Sequence, residues 1–190
     1  VIPTGIKHGT VTVVYQGRCI EITTFRKDGA YTDHRHPDGV VFSSSAKEDA
    51  ARRDFTINAM FYSRTRGFFD FYKGAKDLES GIIRCVGEAE KRFEEDALRI
   101  LRALRFAARL RFSIGEETAE AMQKTACMLK NIAAERILSE LKGFFAADGC
   151  AKLCVEYLDI FKPLLGEALP RAEEFSVLER QQATFRLAAF

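Results

Sequence analysis

Residues 92–110 read RFEEDALRILRALRFAARL, and this proline-free stretch decides the architecture of the second half of the chain. At about 100° per residue, one broad helix face collects the apolar positions, which are Ala97, Ile100, Leu101, Leu104, Ala107 and Ala108. The opposite face collects the charged positions, which are Glu95, Arg99, Arg102 and Arg109, with Arg105 at its flank. The pattern predicts one long helix over residues 89–110 with a buried apolar face.

The arginine-rich face of this helix has two interpretations. Pairs of Glu95 with Arg99 and Arg102 would explain an ordinary solvated face, at a few tenths of a kcal/mol (roughly 0.2–0.5) each. However, four arginines with only Glu95 and Asp96 nearby exceed what pairing within a helix requires. Guanidinium groups bind oxyanions through paired hydrogen bonds, so this face favours a phosphate-bearing ligand.

Upstream of this helix, the sequence predicts mainly strands. The β-branched runs at residues 10–15 and 19–25 flank Gln16-Gly17 and predict a hairpin. The other predicted N-terminal elements are a loop at 27–37, a helix at 45–62, a strand at 67–72 and a short helix within 73–81. Downstream, helices are predicted at 116–129 and 133–146, and another after the Asp148-Gly149 break. The predicted fold class is therefore α+β.

The composition is that of a folded globular protein. The chain has 190 residues, 47% hydrophobic and 29% charged, which excludes collagen-like and disordered classes. No apolar run approaches the roughly 20 residues that a membrane-spanning helix needs. Five cysteines without a C-x-x-C motif predict reduced, buried thiols in the cytoplasm rather than a disulfide framework. The net charge of +2 does not by itself indicate a nucleic-acid binder.

Two further groups of residues could carry chemistry. Arg52 and Arg53 stand beside Asp54, either as an ordinary helix surface or as an arginine at a nucleotide cleft held by the aspartate. Glu21 lies within a predicted strand, where a charge is unusual unless one sheet face is open. It is either a solvent-facing residue or a metal-binding or general-base carboxylate on the cleft side of the sheet, and the sequence leaves both open.

The segment at residues 33–38 (DHRHPD) contains residue types that ligate metals, namely Asp33, His34, His36 and Asp38. Arg35 lies among them, and its positive charge would repel a cation. The sequence therefore argues against a metal site in this loop.

Several motifs together resemble the class II tRNA nucleotidyltransferases, the bacterial-type CCA-adding enzymes with the related poly(A) polymerases. The strongest are residues 52–60 (RRDFTINAM) and 92–110, which occur in the family's order and at about its spacing. The stretches at 3–10 (PTGIKHGT), 21–26 (EITTFR), 33–37 (DHRHP), 76–78 (KDL), 83–87 (IRCVG) and 134–141 (AERILSEL) add to the match. The resemblance covers residues 1–147 well and the remainder loosely.

The resemblance implies a fold and a domain order. Residues 1–87 would form the C-terminal half of a polymerase-β-like nucleotidyltransferase palm, residues 88–147 an all-helical neck that selects nucleotides, and residues 148–190 the start of a helical body. The family holds the 3′ end of tRNA and takes CTP and ATP. The chain would thus be the central part of a cytoplasmic enzyme that adds C and A to tRNA without a nucleic-acid template, releasing pyrophosphate.

The resemblance also implies roles for individual residues. Arg53 would contact the incoming nucleotide. Four neck residues would select and hold CTP or ATP: Asp96, Arg99, Arg102 and Arg105. Three residues would support them: Asp54 and Asn58 bracing the palm, and Glu95 beside the neck arginines. The stretch at 134–141 would support the neck helix. Glu21 matches the position of the superfamily's third catalytic carboxylate.

One departure from the family pattern affects catalysis. The family's metal-binding segment, a glycine-rich turn followed by Asp-x-Asp, should precede residue 3 and is absent from these 190 residues. Nucleotidyl transfer by this family uses Mg²⁺ held by the carboxylates of that segment. We therefore expect this chain to lack the Asp-x-Asp metal ligands and to show no nucleotidyltransferase activity by itself. Two alternatives stay open: a bacterial poly(A) polymerase, although residues 93–101 (FEEDALRIL) lean toward CCA addition, and a non-catalytic RNA-binding module derived from the family.

Overall fold

A computed structural model describes Ile2, Ile6, residues 9–29 and residues 39–165. The chain divides into two compact units, residues 1–53 and residues 54–190. The stretch at 33–38, most of residues 3–10 and everything after residue 165 lie outside the described residues, so the predictions made for them are not addressed by the structure.

The first unit begins with the predicted hairpin. Strands β1 (Thr10–Tyr15) and β2 (Arg18–Thr23) pair antiparallel, with Val13 opposite Ile20 and Thr12 opposite Glu21. Gln16 and Gly17 both have positive φ, +48° and +73°, as a two-residue type I′ hairpin turn requires. One face of the hairpin carries Val11, Val13, Ile20 and Ile22, and the other carries threonines, Val14, Cys19 and Glu21, because side chains alternate along a strand.

Three short elements complete the described part of this unit. Strand β3 (Arg26–Asp28) pairs antiparallel with β4 (Val40–Phe42), so the predicted loop is wrong at residues 27 and 28. Helix α1 (Ala46–Ala51) follows, and Ser45 caps it by accepting a hydrogen bond from the Glu48 amide at 3.3 Å. The acidic first turn places Glu48 and Asp49 where the helix dipole favours negative charge.

The predicted helix over residues 45–62 is wrong beyond Ala51. Residues 56–58 form a 3₁₀ turn (Thr56–Asn58), and β5 (Met60–Ser63) then pairs antiparallel with β6 (Gly67–Asp70). The helix stops because Phe55 is fully buried and forms a β-bridge with Cys85. The amides of Thr56 and Val86 complete this pairing by donating to Arg84 and Asp54 carbonyls.

Helices dominate the rest of the second unit. Helix α2 (Gly74–Ser80) leads to β7 (Ile82–Ile83), which pairs parallel with β8 (Ser113–Ile114). The other helices are α3 (Ala89–Glu95), α4 (Leu98–Leu110), α5 (Glu116–Thr125), a 3₁₀ segment (Ala126–Asn131), α6 (Ala134–Phe145), α7 (Cys150–Glu156) and α8 (Leu158–Leu165). Helices α4 and α6 pack against each other.

The predicted long helix over residues 89–110 is two helices. Asp96 has extended backbone angles (φ −152°, ψ 101°) and separates α3 from α4. Aspartate favours this position because its short side chain can replace a missing backbone partner: Asp96 Oδ1 accepts from the Leu98 amide at 3.1 Å. The predicted apolar face of α4 is confirmed, since Ile100, Leu101 and Leu104 are at most 1% exposed.

The predicted burial of the cysteines is confirmed for three residues and wrong for two. Cys85, Cys150 and Cys154 are buried, whereas Cys19 and Cys127 are exposed, and all five are free thiols. Burial raises the pKa of Cys85 to about 12, despite the hydrogen bond with Thr118. Burial likewise raises the pKa of Cys154. These groups therefore behave as small apolar side chains. Within the part of the chain that the structure describes, no helix is long and apolar enough to cross a membrane.

Candidate nucleotide-binding site

Helix α4 presents its arginines on the side opposite its buried face. Each of Arg99, Arg102 and Arg105 is only partly exposed, between 11% and 33%. Their guanidinium groups are fixed by carboxylates from α3, from the Asp54 loop and from α6. Partly buried cations of this kind need such partners, because burial without one costs several kcal/mol, of order 3–5 in measured cases.

Arg102 joins the two strongest sequence motifs. Its Nε and one terminal nitrogen donate to Asp54 Oδ2 at 2.9 Å and 2.7 Å. The other terminal nitrogen lies 3.6 Å from Glu140 Oε1. Residues 48 positions apart in sequence therefore meet in one ion pair.

Asp54 and Asn58 are joined by a hydrogen bond, and their role in bracing the palm stays a prediction. Asp54 Oδ1 accepts from the Phe55 amide at 2.8 Å and from Asn58 Nδ2 at 3.2 Å. Phe55 packs edge-on against Phe106 of α4, with ring centroids 5.8 Å apart. Asp54 and Phe55, which directly precede the 3₁₀ turn, thus contact α4 through an ion pair and an aromatic contact.

Arg105 is held by α6. Its Nε donates to Glu140 Oε2 at 2.5 Å, and its guanidinium carbon lies 4.4 Å from the centre of the Phe106 ring. Gly143 of α6 is close to it: a Cβ there would stand 2.6 Å from Arg105 Cδ. The absence of a side chain at Gly143 therefore leaves room for Arg105 between the two helices.

Arg99 and Glu95 form a second group. An Arg99 terminal nitrogen donates to Glu95 Oε2 at 2.6 Å and to the Arg92 carbonyl at 3.0 Å. Arg92 also pairs with Glu95. Glu95 thus pairs with Arg99 and also with Arg92, which the sequence analysis did not include, and its role in nucleotide selection stays a prediction.

Asp96 takes its partner from α6 rather than from α4. Its Oδ2 accepts from an Arg136 terminal nitrogen at 2.7 Å, while Oδ1 accepts from the Leu98 amide at the start of α4. Asp96 precedes α4, so it and Arg99 do not share one helix surface. The two residues are instead linked by the Arg99 amide, which donates to the Asp96 carbonyl at 3.0 Å.

Sequence reasoning missed the individual roles of Arg136 and Glu140. Both lie in the stretch at 134–141, which was expected to support the neck helix only as a whole. Their spacing of four residues on α6 was a signal, since it places a cation and an anion on one helix face. Which partners that face meets depends on the packing of α6 against α4.

Arg53 and Glu21 belong to the first unit. Arg53 donates from Nε and a terminal nitrogen to Asp49 Oδ2, at 3.2 Å and 3.1 Å. Asp49 rather than Asp54 therefore holds this arginine. Glu21 is exposed on the threonine-bearing face of the hairpin, opposite Thr12. Among the described residues, no group of three or more His, Cys, Asp or Glu side chains could hold a metal ion.

Comparisons with known proteins match both halves of the chain. The model of the Poly A polymerase head domain matches residues 1–84, and that of the probable RNA and SrmB-binding site of polymerase A matches residues 111–161. The CCA-adding enzyme of Oceanobacillus iheyensis is 46% identical over 170 residues, which are 90% of this chain and 42% of that protein. That of Lactobacillus helveticus is 50% identical over 139 residues, covering 73% and 35%.

Solved structures agree with these matches. The Bacillus stearothermophilus CCA-adding enzyme in complex with CTP has a TM-score of 0.81 and 35% identity, covering 96% of this chain and 44% of that one. The Thermotoga maritima CCA-adding enzyme complexed with tRNA has a TM-score of 0.68 and 27% identity, covering 85% and 37%. The fold is thus the α+β fold of the nucleotidyltransferases of this group. The chain belongs to the class II tRNA nucleotidyltransferase and poly(A) polymerase family, and it spans about two fifths of the curated relative from Oceanobacillus.

Proposed function

We propose that this chain is the central part of an enzyme that adds C and A to the 3′ end of tRNA. The enzyme would take CTP and ATP, release pyrophosphate and use no nucleic-acid template. The family membership supports this function, as do similar structures described with CTP, ATP and tRNA. The structural observation that most supports this function is the Arg102–Asp54 ion pair, which joins the two strongest sequence motifs in one cluster.

We assign the domains as the sequence predicts: residues 1–87 to the palm, 88–147 to the neck and 148–190 to the start of the body. The nucleotide would lie along the polar side of α4. Its base would meet Asp96 and Arg99, and its ribose and phosphates would meet Arg102 and Arg105. Contact of Arg53 with the nucleotide and a cytoplasmic location remain expectations of the sequence.

The chemistry of the base edges supports this division of roles. Cytosine and adenine both present an amino donor beside an unprotonated ring nitrogen. A carboxylate accepting from the amino group and a guanidinium donating to the ring nitrogen match this pattern, whereas uracil and guanine present the reverse. Each carboxylate oxygen of Asp96 accepts one hydrogen bond within the protein. Each oxygen therefore has a second lone pair with which to accept a hydrogen bond from the amino group of a base.

The family implies a divalent metal, with Mg²⁺ as the expected ion. The described residues do not fit one, because Glu21 stands without two further ligands on its face of the hairpin. We therefore assign the chain's own residues to nucleotide binding and orientation only. Glu21 as a third catalytic carboxylate remains a proposal for the full-length protein.

The experiment is nucleotide incorporation into tRNA that lacks its CCA end. The full-length protein, supplied with Mg²⁺, CTP and ATP, should add C and A and then stop. Addition of a long A tail from ATP alone would identify a poly(A) polymerase instead. Retained tRNA binding without incorporation would identify a non-catalytic module. We expect these 190 residues alone to add nothing, and incorporation by them would show that they do contain a metal site.

Base selection is tested by the ratios of kcat/KM for CTP over UTP and ATP over GTP. Asp96→Ala and Arg99→Ala should lower both ratios by about tenfold, since a bidentate base contact is worth roughly 1–3 kcal/mol. Arg102→Ala and Arg105→Ala should lower kcat/KM for all four nucleotides alike. If Asp96→Ala lost activity with unchanged ratios, α4 would only hold phosphates.

A further inference from the structure

The β5–β6 hairpin of the second unit displays two aromatic rings on one face. Tyr62 and Phe68 are directly opposite each other in the strand register. They are 77% and 56% exposed, which is unusual for a neighbouring pair of large rings. The opposite face carries Phe61 and Phe69, which are half-buried, so only the first face is available to a partner.

The turn of this hairpin is basic. Arg64 and Arg66 are exposed at its tip, and no ion pair joins either of them to a residue in the described ranges. Asp70 is the hairpin's carboxylate, and its oxygens accept from the amides of Gly74 and Ala75 at 2.8 Å and 3.0 Å. Its negative charge therefore serves the start of α2.

We propose that Tyr62, Phe68, Arg64 and Arg66 form a surface that binds unpaired nucleotides of RNA. Bases would stack on the two rings, and backbone phosphates would contact the two arginines. Aromatic rings on adjacent strands beside cationic side chains are the arrangement with which β-sheets bind single-stranded nucleic acid. None of these four residues belongs to the proposed nucleotide-binding site on α4, so the proposal goes beyond the proposed function.

The positive charge of Arg64 and Arg66 favours RNA over a second copy of the chain or a protein segment as the partner of this surface. A second copy of the chain would bring two more arginines to the same patch, which would repel. A protein segment would need carboxylates placed opposite Arg64 and Arg66, whereas every nucleotide carries a phosphate. The flat rings also tolerate any base, because every base has a stacking face.

Tryptophan fluorescence tests this proposal directly, because the chain contains no tryptophan. The Tyr62→Trp variant of the 190-residue chain would be titrated with a short single-stranded RNA of mixed sequence. Tyr15→Trp is the matched control, since Tyr15 is an exposed strand aromatic in the first unit. We expect saturable quenching in Tyr62→Trp and none in Tyr15→Trp, and weaker quenching by duplex RNA of the same sequence.

A second set of variants measures affinity by fluorescence anisotropy of labelled RNA. Tyr62→Ala combined with Phe68→Ala should weaken binding by about tenfold, and Tyr62→Phe should not weaken it. Arg64→Ala with Arg66→Ala should weaken binding and reduce its salt dependence, whereas Arg18→Ala should not. RNA binding without quenching of the tryptophan in Tyr62→Trp, or no RNA binding at all, overturns the proposal. Tryptophan emission of Tyr62→Trp that changes with protein concentration alone would indicate a second copy instead.

Discussion

Two of the arginine clusters in the described part of the chain are assembled in different ways. In α1, Asp49 pairs with Arg52 and Arg53 at 2.6 Å and 3.1 Å, three and four residues along the chain. On α4, Arg102 and Arg105 pair with carboxylates 48 and 35 residues away. The first cluster follows from helix spacing alone, whereas the second exists only after the fold has brought α6 and the Asp54 loop to α4. Local clusters stabilise an element, and distant ones stabilise an arrangement of elements.

The largest loss of stability is expected from substitution of Asp49. Its side chain is only 2% exposed and accepts hydrogen bonds from two arginines and from the Arg26 amide. Asp49→Asn should lower the free energy of unfolding by about 3 kcal/mol, since breaking a buried ion pair leaves a charge without its partner. Urea denaturation followed by circular dichroism measures this value. A loss below about 1 kcal/mol would mean that this local cluster behaves as a surface pair.

Glu140 is the corresponding residue of the distant cluster. Glu140→Gln should lower the free energy of unfolding by about 1–2 kcal/mol, because it weakens the ion pairs with both Arg102 and Arg105, whose side chains are partly solvated. Glu135→Gln is the matched control, being an exposed glutamate of the same helix. Equal unfolding free energies for the two variants would show that α6 does not depend on this contact.

Asp70 offers a pH-dependent test of a purely local interaction. Burial opposes ionisation of Asp70, but the amides of Ala75 and Gly74 donate to the carboxylate and lower its pKa. Its stabilisation is therefore present above the pKa of an unfolded aspartate and is lost as the pH falls through the lower folded pKa. Asp70→Ala should cost about 1 kcal/mol at neutral pH.

The control for Asp70 is a cap that does not titrate. The difference between the wild type and Asp70→Ala should disappear in acid, whereas that for Ser45→Ala, which removes the cap of α1, should persist while the chain stays folded. Parallel urea titrations at neutral and acid pH measure both differences. A pH-independent Asp70 effect would exclude the carboxylate's charge as its cause.

The smallest effect is expected at a pair that is distant in sequence but exposed. Arg111 and Asp148 lie 3.3 Å apart, and their side chains are 74% and 75% exposed. Asp148→Asn should change the free energy of unfolding by at most about 0.5 kcal/mol. If urea denaturation gave a loss as large as that of Glu140→Gln, distance in sequence rather than burial would govern these pairs.

The hairpin of β1 and β2, the buried face of α4 and the family could each be predicted from residues that are close together in sequence. The hairpin and the helix face follow from local residue patterns, and the family follows from short motifs. Periodicity could not reveal the interruption at Asp96, since a helix cap and a helix residue can occupy the same position in an amphipathic pattern. It also predicted helix where Phe55 pairs with Cys85, because that contact joins residues 30 positions apart. The candidate site residues were predicted by motif, but the partners Glu140 and Arg136 follow only from the packing of α6 against α4.

The internal ion pairs of the α4 arginines affect the expected energetics of nucleotide binding. Arg102 and Arg105, the proposed ribose and phosphate contacts, each already hold a carboxylate, so in the proposed binding mode a triphosphate would not meet unopposed positive charge. Binding is then an exchange of one anion for another, and its free energy is the difference between two similar interactions. Such an exchange releases fewer salt ions than binding to solvated arginines would. Nucleotide affinity should accordingly respond weakly to ionic strength, and release of the nucleotide would return each arginine to its internal partner.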